Sequence, residues 1–136
     1  MMNIELSDKE FRRLLDLVYV GNWVLNSARG SDRFEDYDDL QEKMFALCAQ
    51  NGMKDLYATW YGHTFPSRAY EEGGIHEAIA DYEDAVFFDI LAEELARRDM
   101  HLEDTDPEDM TELNHRMDEY ISEFEANGID NLTIDI

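Results

Sequence analysis

Met110, Leu113, Met117, Tyr120 and Phe124 recur at intervals of 3, 4, 3 and 4 residues. Only an α-helix keeps side chains at that spacing in one line, and such a line needs a second helix to cover it. The chain is thereby committed to helix-on-helix packing. The seam helix is expected to open at Asp106 as N-cap with Pro107 at its first position, and to run to about Ala126, where Asn127-Gly128 stops it. The same period recurs earlier in the chain. Ser7 and Glu10 form a Ser-x-x-Glu capping box. They precede a helix predicted from about Asp8 to about Ala28, with Phe11, Leu14, Leu15, Val18 and Leu25 on one face. Val20 and Trp23 lie off that stripe, which predicts cover on more than one side, and Gly21 lets a neighbour approach closely.

Tyr37, Leu40, Met44, Leu47 and Cys48 mark a second helix from about Asp36 to Gln50, with Asn51-Gly52 as its stop. A long helix is predicted from about Ile75 to about Asp99. From Ala85 to Ala92 it is apolar nearly all round, with Asp89 as the exception. Such a helix is expected to be central in a bundle or buried in an oligomer contact, and Asp89 to lie deep among apolar neighbours. Between these helices, Tyr57, Trp60, Tyr61, Phe65 and Tyr70 are interrupted by Gly62, Pro66 and Gly73-Gly74. The expectation there is a short helix at about 54–60 and an irregular connector. Residues 2–6 and 132–136 alternate weakly and are expected to pair as strands. The reading is a single, mainly α domain: a compact bundle of four to five helices with a small two-stranded sheet joining the ends.

The charge is lopsided. Residues 1–68 hold 11 acids against 8 bases, while residues 69–136 hold 22 against 3, in a chain of formal charge −22. Hydrophobic residues make up 44% and aromatics 12%, too many for an acidic disordered chain. Excess carboxylate repels nucleic-acid phosphates and anionic membranes, so neither is expected as a direct partner. Single Cys48 allows no intramolecular disulfide, the N-terminus lacks a signal pattern, and no stretch spans a bilayer; a cytoplasmic protein is expected. Arg outnumbers Lys 8 to 3, a pattern that also suits adaptation to salt.

Motifs with chemistry are few. There is no phosphate-binding loop, no Cys-x-x-Cys and no calcium loop. Glu112 and His115 form one Glu-x-x-His pair, where a di-iron bundle needs two and two further glutamates. The expectation is no catalytic residue, no metal and no cofactor. Asp89, Glu93 and Arg97 stand at successive i,i+4 steps, and Asp16 beside Arg12 and Arg13 reads as a surface pair. His76 reads as a surface residue. Cys48 falls in the apolar stripe of its helix and reads as core. The run Phe88–Asp99, preceded by Phe65-Pro66-Ser67-Arg68 and His76-Glu77, resembles small acidic bacterial proteins. That resemblance covers the C-terminal half and transfers no site.

Three functions fit these residues. The first is a non-enzymatic interaction or regulatory module that offers Glu103, Asp104, Glu108, Asp109 and Glu112 to a basic protein partner. The second is a nucleic-acid mimic whose carboxylates stand in for phosphates. The third is a small enzyme or ligand binder with a pocket made by Trp60, Tyr61, His63, Asp89 and Glu93. The seam of the last helix and the apolar middle of the long one leave a homodimer open.

Overall fold

The structure is a computed structural model and describes residues 1–135. It is mainly α: α1 (Asp8–Asn26), α2 (Glu35–Gln50), a hairpin of β1 (Tyr57–Trp60) and β2 (His63–Pro66), a single turn α3 (Arg68–Tyr70), a π turn (Glu71–Ile75), α4 (His76–Leu102) and α5 (Met110–Asn127). The chain divides into two compact units, Met1–Ile79 and Ala80–Ile136.

In the first unit, α1 begins as its sequence dictates. The Ser7 hydroxyl accepts from Glu10 N at 3.1 Å and the Glu10 carboxylate accepts from Ser7 N at 3.0 Å. Such a cap is worth about 1 kcal/mol. The buried stripe of α1 is Leu15, Tyr19, Asn22 and Asn26, turned away from the purely apolar face predicted. The reason is the loop that follows. Asn26 is wholly buried and accepts from Phe34 N at 2.8 Å while donating to Phe34 O at 3.1 Å. A backbone loop folded against a helix needs such partners, and an apolar side chain has none to give. Leu15 and Tyr19 join Phe45, Cys48, Tyr70 and Ile79 in the core, so Cys48 is the small core residue its position in α2 predicts.

The connector differs from expectation. Instead of a helix at 54–60, β1 and β2 pair antiparallel with Trp60 opposite His63 and Tyr57 opposite Pro66. Tyr61 and Gly62 turn the chain with φ of 47° and 79°. Two left-handed residues are what the type I′ form of a two-residue hairpin turn requires. Tyrosine is uncommon in that conformation, so the turn carries no usual sequence signature. Ser67 then caps α3 by accepting from Tyr70 N at 3.0 Å. Gly74, at φ 110°, breaks the helical path inside the π turn before α4 begins. The sheet therefore lies inside the chain and not at its ends: residues 2–6 and 132–135 form no strand, and Ile136 lies outside the described residues.

In the second unit, α5 packs on α4 through the predicted seam. Leu113, Met117 and Tyr120 meet Ala96 and Met100, and the Phe124 ring lies 5.4 Å from that of Phe88. The seam is thus used within the chain from Leu113 onward, while Met110, its first member, is 53% exposed at the start of α5. α5 starts a turn later than expected, with Asp109 as N-cap. Asp106 instead accepts from Glu108 N at 3.0 Å, closing a local turn that competes with helix. The middle of α4 is not enclosed: Ala92 is buried, but Phe87, Asp89 and Ile90 are exposed.

Candidate functional site

The division into units nearly coincides with the division of charge. Met1–Ile79 holds 14 acids against 8 bases, a net −6, and Ala80–Ile136 holds 19 against 3, a net −16. Among the described residues no Asp or Glu is buried. The three cations of the second unit are spoken for. Arg97 donates to Glu93 at 3.1 Å, Arg98 to Asp99 at 2.9 Å, and Arg116 pairs with both Glu103 and Glu112, the latter at 2.7 Å. Among the described residues, fifteen of the nineteen Asp and Glu side chains in this unit therefore have no arginine beside them.

The α4–α5 connection concentrates that charge. α4 ends with Glu103 N donating to Asp99 O at 3.0 Å and Thr105 N to Met100 O at 2.8 Å. Asp104 between them is left-handed, with φ 54°. The five carboxylates predicted to meet a partner all lie here, in distinct roles. Glu103 and Glu112 flank Arg116. The Asp109 carboxylate caps α5 by accepting from Glu112 N at 3.1 Å. Asp104 and Glu108 are exposed, and among the described residues neither takes part in the ion pairs of this unit. Arg97, Met100, His101, Asp104, Thr105, Asp106 and Pro107 line a cleft of about 420 Å³ beside them. Its lining mixes the apolar Met100 and Pro107 with Arg97, Asp104 and Asp106, which carry both signs of charge. Such a cleft suits an aliphatic or mixed-charge side chain more than a small anion.

Two polar anchors hold this end of the unit. The Tyr120 hydroxyl donates a short hydrogen bond to Asp99, which Arg98 also engages. Burial pushes the Asp99 carboxyl up, but the Tyr120 and Arg98 bonds outweigh it and leave it below its ordinary value. Glu112, the acid of the Glu-x-x-His pair, goes to Arg116, while His115 faces Glu119 at 3.1 Å. Among the described residues, no group of three or more His, Cys, Asp or Glu side chains converges as metal ligands do.

The predicted pocket residues are divided between the units. In the first, Trp60 and Tyr61 stand exposed at the hairpin tip with rings perpendicular and 4.8 Å apart. With Thr59 and Gly62 they line a shallow depression of about 280 Å³. His63 is tied down, its Nδ1 lying 3.0 Å from Glu42 Oε1, which also accepts from Thr64 N at 2.9 Å. That backbone bond is the main reason the Glu42 carboxyl sits below its ordinary value. In the second unit, Asp89 is exposed and not deep, because α4 turns that side to solvent, and Glu93 is held by Arg97.

The sequence reading missed a polar cluster in the first unit. Asp16 is half-buried: it accepts from the Tyr70 hydroxyl at 2.9 Å and from Arg12 at 2.6 Å, and Arg12 lies over the Tyr70 ring at 4.7 Å. Burial, then the Asp16 carboxylate, raises the Tyr70 hydroxyl well above its ordinary value. His76 is half-buried too, with Nε2 2.6 Å from the Tyr19 hydroxyl and its ring edge-on to Trp23 at 4.8 Å. No local pattern signals these contacts, since Tyr70 lies 54 residues from Asp16 and His76 lies 57 from Tyr19.

No family model, no curated protein and no solved structure matches the chain. Among the described residues no helix is long and apolar enough to cross a membrane.

Proposed function

We propose that the protein is a non-enzymatic interaction module whose second unit, Ala80–Ile136, meets a basic protein partner. The observation that carries this reading is the surplus of carboxylates. A unit of net −16 spends its three arginines internally and leaves fifteen carboxylates with none. Self-repulsion of that size destabilises the free unit and is relieved when a cationic surface arrives. Asp104 and Glu108 beside the cleft supply the least encumbered contacts. The field they join reaches about 8 Å at physiological salt, so association is expected to depend steeply on ionic strength.

The test is affinity retention on the immobilised full chain from a lysate of the source, eluted with salt. A second column carries the chain with Glu103, Asp104, Glu108 and Asp109 changed to their amides. Retention of a defined basic protein, released at moderate salt and lost on the amide column, supports the reading. If that protein is a DNA-binding one and duplex DNA competes it off, the module acts as a nucleic-acid mimic. Retention unaltered by the amide changes, or no basic protein retained, overturns it.

A further inference from the structure

The outer face of α1 carries a second helical seam that the described residues of its own unit leave exposed at Leu17, Gly21 and Val24. Leu14, Leu17, Gly21 and Val24 follow one another at intervals of 3, 4 and 3 residues. They lie opposite the buried stripe of Leu15, Tyr19, Asn22 and Asn26. The arrangement inverts the usual one, with asparagines inside and leucine and valine outside. Leu17 is 72% exposed and Val24 70%. At the N-terminal end the stripe continues into an apolar groove of about 380 Å³ that Ile4 and Leu6 line together with Leu14 and Leu17.

Gly21 sits midway along this stripe. A glycine inside a helix costs about 1 kcal/mol relative to alanine. Among the described residues nothing uses the space it leaves, since an added Cβ would meet no atom within 4 Å. A small residue at the centre of a helical seam lets a second helix axis approach closely.

The charge selects the occupant. From Leu17 to Ala28 the sequence has no charged residue. In a chain of net −22 this is surface on which two copies meet with little repulsion. The charged residues of the groove stand only at its start, where Lys9 and Arg13 are joined by Glu10, whose carboxylate already accepts from Ser7 N. From Leu17 to Val24 neither a cationic nor an anionic partner finds a charge of opposite sign on α1. We infer that α1 is a self-association surface: two copies pack α1 against α1 through Leu14, Leu17, Gly21 and Val24, with Gly21 at the crossing. This is independent of the acidic unit and of the partner proposed for it.

Sedimentation equilibrium of the full chain over a range of concentrations tests this. A monomer–dimer equilibrium is expected, tighter at 0.5 M salt (roughly a 4–5 Å screening length) than at low salt, because salt screens repulsion between the acidic units and leaves the apolar seam intact. Leu17→Glu and Val24→Glu, at positions already open to water, are expected to weaken dimerisation by at least about tenfold with an unchanged far-UV circular dichroism spectrum. Gly21→Ala is expected to raise the melting temperature of the dilute monomer and yet loosen the dimer severalfold. A chain that stays monomeric at every concentration and salt overturns the inference. So does a dimer that ignores all three substitutions, or one that weakens as salt rises.

Discussion

Replacing Asn26 with leucine tests whether a buried amide, and not apolar contact, fixes the α1–α2 loop. The two side chains share a branched shape and leucine is the larger, so no cavity is left. What is lost is specific. Phe34 N and O lose partners at 2.8 and 3.1 Å, and Asn22 Oδ1 loses a donor at 2.6 Å. Each is part-buried or buried, and a polar group left unpaired under such cover costs roughly 1–3 kcal/mol. Water reaches the exposed loop side and recovers part of that, so we expect a net loss of about 2–4 kcal/mol, large against a typical domain stability. Both tryptophans, Trp23 and Trp60, lie in the first unit, so fluorescence during urea unfolding reads that unit without interference from the second. The midpoint should fall while the slope stays constant. A loss below about 1 kcal/mol would refute the reasoning, since it would mean the loop is held by packing of Phe34 and its neighbours.

The same network makes a pH prediction. Two bonds from Arg33, then bonds from Asn22 and Asn26, lower the Asp38 carboxyl from 3.8 to about 2. A carboxyl lowered on folding stabilises the fold above its unfolded value and loses that contribution as pH falls through the folded one. The first unit should therefore lose stability between about pH 4 and pH 2. The Asp38 side chain is 35% exposed, so screening reduces the effect to about 1 kcal/mol. Asp38→Asn should flatten that part of the curve, and an unchanged slope would count against the assignment. In the second unit, Leu113→Ala removes a side chain 1% exposed from a core of few residues. It should cost about 2–4 kcal/mol by far-UV circular dichroism, and a cost under 1 kcal/mol would show that α5 does not depend on its seam.

How far the residues alone reveal this molecule follows from which forces act locally. The helices were legible because their caps and periods lie within a few residues: Ser7 with Glu10, and Leu113 with Met117, Tyr120 and Phe124. The hairpin was not, because Tyr61 takes a conformation its type disfavours, and pairing from Tyr57 to Pro66 outweighs that strain. The inward face of α1 was misread for a related reason. Asn22 and Asn26 are polar by composition and are buried only because Phe34 and Asp38, on the loop and α2, need partners. Asp89 was misplaced because nothing in residues 85–92 says that one side of α4 stays open. Of the candidate site, the clustering of Glu103 to Glu112 was visible directly. Their separation into pairs with Arg116, a cap at Asp109 and the unengaged Asp104 and Glu108 required the turn after α4.

Carboxylate footprinting of the full chain, alone and bound to the basic protein recovered by salt elution, addresses the acidic unit most directly. Modification of each Asp and Glu is read by peptide mass. The account predicts free reaction at Asp104 and Glu108 in the unbound chain and their protection on binding, together with neighbours between Glu103 and Glu112. Protection confined to residues 1–79, or none at all, would contradict it.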